Sequence, residues 1–409
     1  MSDPAVLVVG SGPAGLTAAR ELAVAGVRPV LVVDREVEAG GVPRHCDHTG
    51  FGLQDLRRSL SGPAYARHLV RRAVGDGVAI RLSTTVTCVG DDGAATLVGP
   101  GGIEVVHPRA VLLATGARER PRSARLVPGD RPAGVFTTGQ LQQWVLLRQL
   151  PVGRRAVVVG AEHVAYSAVL TLRHAGVATV AMVTELPRHQ TVGAFALATR
   201  VGLRVPLRTS SRVAGLHGHG RLEAVDVEDL LTGAVERVAA DTVVFTGDWI
   251  PDHELARRCG LTVERATLGP RTDRWGRTSR PGLLAVGNLV HPGETAGRAA
   301  LGGRDAGRWL GADLSSGATQ VAARGLPVTV ARPLASVVPS VADPGDPPRR
   351  LLLRTAEFTG RRLVVARQGG RELGRHGLRH SVPNRSLGVP GAILRGADPD
   401  GGTVELSLA

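Results

Sequence analysis

Two strand-to-helix turns carry the residues with the clearest chemistry. The first runs Val8-Val9-Gly10-Ser11-Gly12-Pro13-Ala14-Gly15, and the next apolar run ends at Asp34-Arg35. Gly10 permits a tight turn, Gly12 lets backbone approach a pyrophosphate, and Gly15 allows close helix–strand contact. The helix that opens at Pro13 and Ala14 offers free N–H groups and a positive dipole to phosphate. Asp34 is placed to accept from a ribose hydroxyl, with Arg35 beside it. The second turn, Val157-Val158-Val159-Gly160-Ala161-Glu162-His163-Val164-Ala165, keeps Gly160 but has Glu162 as the counterpart of Gly12. A carboxylate there crowds a pyrophosphate and repels its charge. Glu185, after Val180–Val183, can still take a ribose hydroxyl, so a different nucleotide remains open; the competing reading is a domain kept for its structure.

A second cluster is Gly40-Gly41-Val42-Pro43-Arg44-His45-Cys46-Asp47-His48. The glycine pair suits backbone that passes close to something flat. Arg44 can hold a carboxylate through its planar fork, against the plainer reading of a surface salt bridge. Cys46, between His45 and His48, is a nucleophile if an imidazolium activates it, and otherwise a small buried thiol. The spacing of His45, Cys46 and His48 is cramped for metal ligation and no fourth ligand is evident, so no metal is expected. Asp248, Asp252 and His253 follow Thr246-Gly247 at an expected domain junction, where a turn role for Asp252 competes. His291 and Glu294 precede a helix start, and Glu294 is read as helix-start chemistry.

The elements that must position these residues form a repeat. Ala5–Val9 and Val30–Val33 are short β-branched strands flanking a helix over Pro13–Ala25, with Ala14, Ala18 and Ala25 small enough to pack closely on the sheet. A helix over Pro63–Gly75, a strand over Val78–Leu82 and a β-meander over Thr85–His107 lead to the strand Ala110–Ala114 and then Thr115-Gly116. The second unit, Arg155–Val183, is followed by hairpins over Val213–Val238 and a strand over Asp241–Phe245 that ends in Thr246-Gly247. Turn, meander and strand-Thr-Gly therefore occur twice, which predicts two similarly built nucleotide domains. Leu283–Val286 enters Gly287-Asn288 before a helix over Thr295–Leu310. Beyond Gly311 the Ser/Gly/Ala and Pro-rich text predicts a linker, and Leu351–Leu408 a small antiparallel β domain.

Composition narrows the field. The chain has 409 residues, 43% hydrophobic, with a formal charge of +14. All 50 basic residues are arginine, a compositional bias rather than a basic face interleaved with aromatics, so nucleic-acid binding is not expected. An acidic partner protein remains compatible. Without lysine, Schiff-base chemistry is excluded. Three scattered cysteines exclude a disulfide framework and a C-x-x-C redox pair. No apolar run reaches a membrane span and no signal peptide is visible, so a cytoplasmic protein without direct membrane insertion is expected.

Taken together, the first turn with Asp34, Ala114-Thr115-Gly116, Thr246-Gly247 and Thr278-Ser279-Arg280-Pro281-Gly282-Leu283-Leu284-Ala285-Val286-Gly287-Asn288 resemble the pyridine nucleotide-disulfide oxidoreductase fold of thioredoxin and glutathione reductases, over about Ala5–Leu310. The resemblance implies an α/β chain with two Rossmann-like domains and a small C-terminal β-rich domain. A discontinuous FAD domain would span 1–120 and 246–312, an inserted NAD(P)-type domain 121–245, a linker 313–348 and the β domain 349–409. It implies that Gly10, Gly12, Pro13, Ala14, Gly15, Asp34 and Arg35 hold the ADP half of FAD. Gly41 would lie near the flavin, Thr115 and Gly116 at the interdomain crossing, and Gly287, Asn288, Thr295 and Ala296 beside the ribityl, pyrophosphate or pyrimidine. Asn288 stands where the family usually has Asp. Gly160, Glu185 and Gly247 would line the second site, where Glu162 weighs against NAD(P).

Three shorter stretches resemble a narrower group. They are Gly40-Gly41-Val42-Pro43-Arg44-His45-Cys46, Ser61-Gly62-Pro63-Ala64-Tyr65-Ala66-Arg67 and Thr246-Gly247-Asp248-Trp249-Ile250-Pro251-Asp252. The group comprises FAD subunits of heteromeric dye-linked amino-acid dehydrogenases and opine oxidases. That likeness implies oxidation of an amine or amino-acid C–N bond beside a second flavin or substrate subunit, with electrons leaving to a non-NAD acceptor and with Arg44 and Cys46 as catalytic candidates. Two alternatives stay open: a self-sufficient NAD(P)H-dependent reductase without a redox disulfide, and a nucleotide-binding assembly subunit without activity.

Overall fold

Short β-branched runs build the first sheet. Val6–Val9, Val30–Val33 and Ala110–Leu113 are buried along their whole length, as central strands of a covered parallel sheet must be. In the computed structural model, which describes residues 3–191, 193, 202, 204–317 and 321–409, five parallel strands run in the order Leu283–Ala285, Ala110–Leu113, Val6–Val9, Val30–Val33, Ala79–Arg81. Their register puts Val33, Val9, Leu113 and Ala285 in one row across the sheet. The turns that follow these four residues therefore open at the same carboxyl edge, where open α/β sheets bind ligands.

The chain divides into two compact units: Met1–Arg44, Gly50–Ala117 and Pro251–Ala409 form the first, and His45–Thr49 with Arg118–Ile250 the second. The first unit adds the expected meander, Thr85–Val89, Ala95–Gly99 and Gly102–Val106. Its helices Pro13–Val24 and Ala296–Ser315 pack through small residues. A Cβ on Gly303 would overlap the Ala14 carbonyl, one on Gly307 would lie 2.6 Å from the Ala18 carbonyl, and one on Gly311 2.8 Å from Ala25 Cβ. The small face expected to meet the sheet thus meets a helix, which runs five residues past the expected Leu310.

The second unit repeats the plan. Val135–Thr137, Thr242–Phe245, Arg155–Val159, Ala178–Val183 and Leu207–Arg208 form a parallel sheet in that order. Thr137, Phe245, Val159 and Val183 share one row. A three-stranded antiparallel sheet, Ser211–His217, Ala224–Asp229 and Val235–Ala239, matches the expected hairpins.

The C-terminal region corrects the expected linker over 313–348. Residues 318–320 lie outside the described residues, but Leu326–Val330, Leu334–Val338 and Val341–Ala342 are strands. They join Arg350–Thr355, Arg362–Gln368, Arg371–Leu378, Leu387–Pro390 and Val404–Leu408 in two sheets around Leu326, Val328, Leu334, Leu351, Leu353, Val364, Val389 and Leu406. Pro327, Pro333 and Pro339 interrupt a real alternation of buried residues, and Pro327 sits beside the two-residue edge strand, where a missing N–H is tolerated. Among the described residues no helix is long and apolar enough to cross a membrane.

Candidate functional site

At the first carboxyl edge, each glycine has a steric reason. Gly10 has φ +106°, and a Cβ there would stand 2.5 Å from the Ala114 carbonyl; one on Gly15 would overlap the Gly10 carbonyl. Gly12 differs, because a Cβ would meet nothing within 4 Å. It caps the helix in extended conformation with no side-chain hydrogen bond, Pro13 follows, and the first turn holds no acid. Open space thus faces an uncapped, positive helix start, which is a cradle for an anion. Gly41, φ +63°, closes on this turn so tightly that a Cβ would lie 2.8 Å from Gly12 Cα.

Asp34 is pre-oriented. Its Oδ2 accepts from the Ser11 N–H at 2.7 Å and the Ser11 hydroxyl at 2.5 Å, and Oδ1 accepts from the Glu36 N–H at 2.9 Å. Ser11, which sequence reasoning passed over, is the residue that fixes it. Arg35 pairs with Asp252 at 2.9 Å. The Thr115 hydroxyl donates to the Asp252 carbonyl at 2.7 Å, and the Asp252 N–H donates to the Gly116 carbonyl at 2.9 Å. Asp252 therefore holds the Thr-Gly turn rather than only making one of its own. A Cβ on Gly287, φ +70°, would lie 2.7 Å from Ala14 Cβ. Asn288 accepts from the Glu294 N–H at 2.9 Å and donates to the Glu294 carbonyl at 3.2 Å. Thr295 caps the helix that begins at Ala296, accepting from the Arg298 N–H and donating to Gln54 at 2.6 Å. The structure thus brings Gly10, Gly12, Pro13, Ala14, Gly15, Asp34, Arg35, Gly41, Thr115, Gly116, Gly287, Asn288, Thr295 and Ala296 into one unit. An open glycine turn at a helix start, with an oriented carboxylate on the next strand, fits the ADP half of FAD.

The two catalytic candidates are placed differently. Arg44 has only 8% of its side chain exposed and faces Glu36 and Glu38 at 3.4 and 3.3 Å. Cys46 belongs to the second unit, where its thiol donates to Gln142 Oε1 at 3.3 Å, and Gln142 donates on to Ser167 at 2.9 Å. Burial, with the Glu119 charge nearby, pushes the Cys46 thiol up to about 12. Of the two readings of Cys46, desolvation favours the small buried thiol over an imidazolium-activated thiolate.

At the second carboxyl edge Glu162 takes the cap position of the helix His163–His174. Its side chain folds back so that Oε2 accepts from the Ala161 N–H at 3.0 Å. A Cβ on Gly160 would overlap Thr246 Oγ1 and stand 2.7 Å from Glu162 Oε2; one on Gly247 would stand 3.0 Å from Oε1. Two of the three residues expected to line this site, Gly160 and Gly247, thus lie against the Glu162 carboxylate, and the third, Glu185, follows Val183 at the end of the neighbouring strand. Arg125 donates to the Thr246 and Gly247 carbonyls at 3.0 and 2.9 Å, with its guanidinium 5.5 Å from the Phe245 ring centre. Burial raises the Glu162 carboxyl above its ordinary range against hydrogen bonds from Thr246 and Ala161. Glu119, buried and accepting from the Gly139 N–H at 2.8 Å, is pushed up to about 7, chiefly by burial and further by the Glu162 charge. Glu119 and Arg125 were not singled out in the sequence, where Arg118-Glu119-Arg120 has the look of a solvated charge run. The Glu162 side chain thus occupies the second glycine turn, where the first unit has open space above Gly12.

Comparison with known proteins identifies the family. The model of the pyridine nucleotide-disulphide oxidoreductase family matches residues 4–303. The alpha subunit of sarcosine oxidase from Corynebacterium sp. (strain P-1) is 33% identical over 60% of this chain and 26% of its own length. An opine oxidase subunit from Rhizobium meliloti is 27% identical over 69% of this chain and 58% of its own length. The ferredoxin–NAD(+) reductase component of the biphenyl dioxygenase system of Paraburkholderia xenovorans (strain LB400) is 29% identical over 70% and 67%. The chain thus spans about a quarter and somewhat over half of the first two. Thioredoxin reductase of T. acidophilum shares the fold, with a TM-score of 0.66 at 21% identity, covering 77% of this chain and 100% of that one.

Proposed function

We propose a function from one premise: this chain belongs to the pyridine nucleotide-disulphide oxidoreductase family and is an FAD-dependent oxidoreductase. Our reading is that it is the FAD-bearing subunit of a heteromeric dehydrogenase that oxidises a C–N bond of an amino acid, opine or amine. Electrons leave to an acceptor other than NAD(P). The observation that carries this reading is Glu162, whose carboxylate occupies the second glycine turn. The likeness to subunits of sarcosine oxidase and of opine oxidase supports the substrate class and a partner subunit.

When bound, FAD supplies two-electron acceptance. The chain's own residues bind and orient it. The helix start at Gly12-Pro13 offers N–H groups to the phosphates, and Asp34, held by Ser11, receives a ribose hydroxyl. Gly41 and Gly116 add no side chain to the approach, the Thr115 hydroxyl is turned to the Asp252 carbonyl, and Asn288 with Thr295 and Ala296 lines the same edge in this reading.

The test is turnover by the isolated chain. Reconstituted with FAD and supplied with amino acids or secondary amines and an artificial dye acceptor, it is expected to turn over weakly or not at all. Full activity of the chain purified alone would overturn the subunit reading. The ferredoxin–NAD(+) reductase relative favours a second reading, a self-sufficient NAD(P)H-dependent reductase, which requires Glu162 to leave its turn.

A further inference from the structure

The C-terminal β domain reaches the cofactor edge through one buried carboxylate. Glu294, with 9% of its side chain exposed, accepts at Oε1 from Arg354 at 3.0 Å and from the Ser386 hydroxyl. Oε2 lies 3.2 Å from Arg298 Nε, and His291 Nδ1 lies 3.3 Å from Oε1. Arg354 and Ser386 come from the C-terminal domain, on the strand Arg350–Thr355 and just before the strand Leu387–Pro390. The main chain of the same Glu294 is clamped by both atoms of the Asn288 carboxamide. Its neighbour Thr295 opens the helix and bonds Gln54. One residue therefore joins the C-terminal domain, the Asn288 loop and the start of the helix Ala296–Ser315.

We propose that the C-terminal β domain is a positioning element for the cofactor edge, acting through Arg354 and Ser386 on Glu294 and through the Glu294 main chain on Asn288. The inference rests on the reading that FAD occupies this edge. A buried carboxylate shared among two guanidiniums and a hydroxyl has little freedom, because losing a partner leaves charge uncompensated in a poorly solvated place. A loop fixed in this way holds the wall of a site to the tolerance that cofactor binding needs. The domain is also attached elsewhere: the Ser340 and Val341 N–H groups donate to the Thr272 carbonyl at 3.2 and 3.1 Å, and Arg274 donates to the Pro347 carbonyl at 3.1 Å. Cutting the Arg354 link alone leaves those contacts in place.

The experiment compares the full chain with Arg354→Met, Arg354→Lys and Ser386→Ala, reading amide hydrogen exchange over 288–298 without cofactor, then FAD affinity and the visible bands of bound flavin. Arg354→Met is expected to speed exchange in that segment roughly tenfold, weaken FAD roughly tenfold and shift the flavin bands, with Arg354→Lys recovering part of each. A folded Arg354→Met with unchanged exchange there overturns the proposal. So does a loosened segment with FAD affinity and spectrum unaltered. A wild-type chain that takes up no FAD overturns the reading of the edge itself, which separates the two failures.

Discussion

Glu162 folds back over Gly160, so that its Oε2 lies 2.7 Å from where a Cβ on Gly160 would stand. In the first unit the matching space, above Gly12, is open. The two edges share a plan and differ by one carboxylate, and the proposed function assigns phosphate to the open edge alone. Glu162→Gly is therefore expected to bind NADH at least about tenfold more tightly than wild type, measured by calorimetry or fluorescence.

The open space at Gly12 gives a sharper contrast within the first turn. Gly12→Ala puts a methyl into the cradle without touching protein, so the melting temperature of the cofactor-free chain should hold while FAD affinity collapses. Gly15→Ala drives the same methyl into the Gly10 carbonyl and should destabilise the fold by about 2–3 kcal/mol. Melting curves with and without FAD separate the two effects.

Asn288 departs from the Asp usual in the family, and the structure supplies a reason. Its Nδ2 donates to the Glu294 carbonyl, which a carboxylate cannot do. Asn288→Asp would set two oxygens against each other, and should cost about 1–3 kcal/mol in stability. A variant as stable as wild type would show that the clamp contributes nothing.

Glu119 gives the second unit a pH dependence of definite sign. Its carboxyl is raised from 4.5 to about 7, so the folded form keeps a proton that the unfolded chain releases. Stability then falls as pH rises from about 4.5 to 7 and levels off above, by up to about 3 kcal/mol from this group. Glu119→Gln keeps an acceptor for the Gly139 N–H and should flatten that slope. Denaturant unfolding of both proteins across this range measures the difference.

Cys46 should be chemically quiet. A buried thiol raised to about 12 carries almost no thiolate at neutral pH. Mass spectrometry after iodoacetamide at pH 8 is expected to find Cys88, which is exposed, modified before Cys46.

How much of this was legible in the sequence depends on the range of the interactions. The glycine turns, Asp34 and the repeat of strand-Thr-Gly are local patterns, and both carboxyl edges follow from them. The Glu162 side chain in the second turn was legible too, because it lies inside that turn. Which of the two readings of Cys46 holds was not, because its partner Gln142 is 96 residues away. The role of Glu294 needed Arg354 and Ser386, which are 60 and 92 residues distant. The strands at Leu326–Ala342 were hidden because prolines and glycines punctuate an alternation that only sheet pairing reveals.

The most direct test of the central claim is an anaerobic visible spectrum of the FAD-loaded wild-type chain during titration with NADH and then NADPH. The flavin bands are expected to stay unbleached by either nucleotide, because the Glu162 carboxylate holds the second turn. Prompt bleaching would contradict that account and establish the chain as a self-sufficient NAD(P)H-dependent reductase.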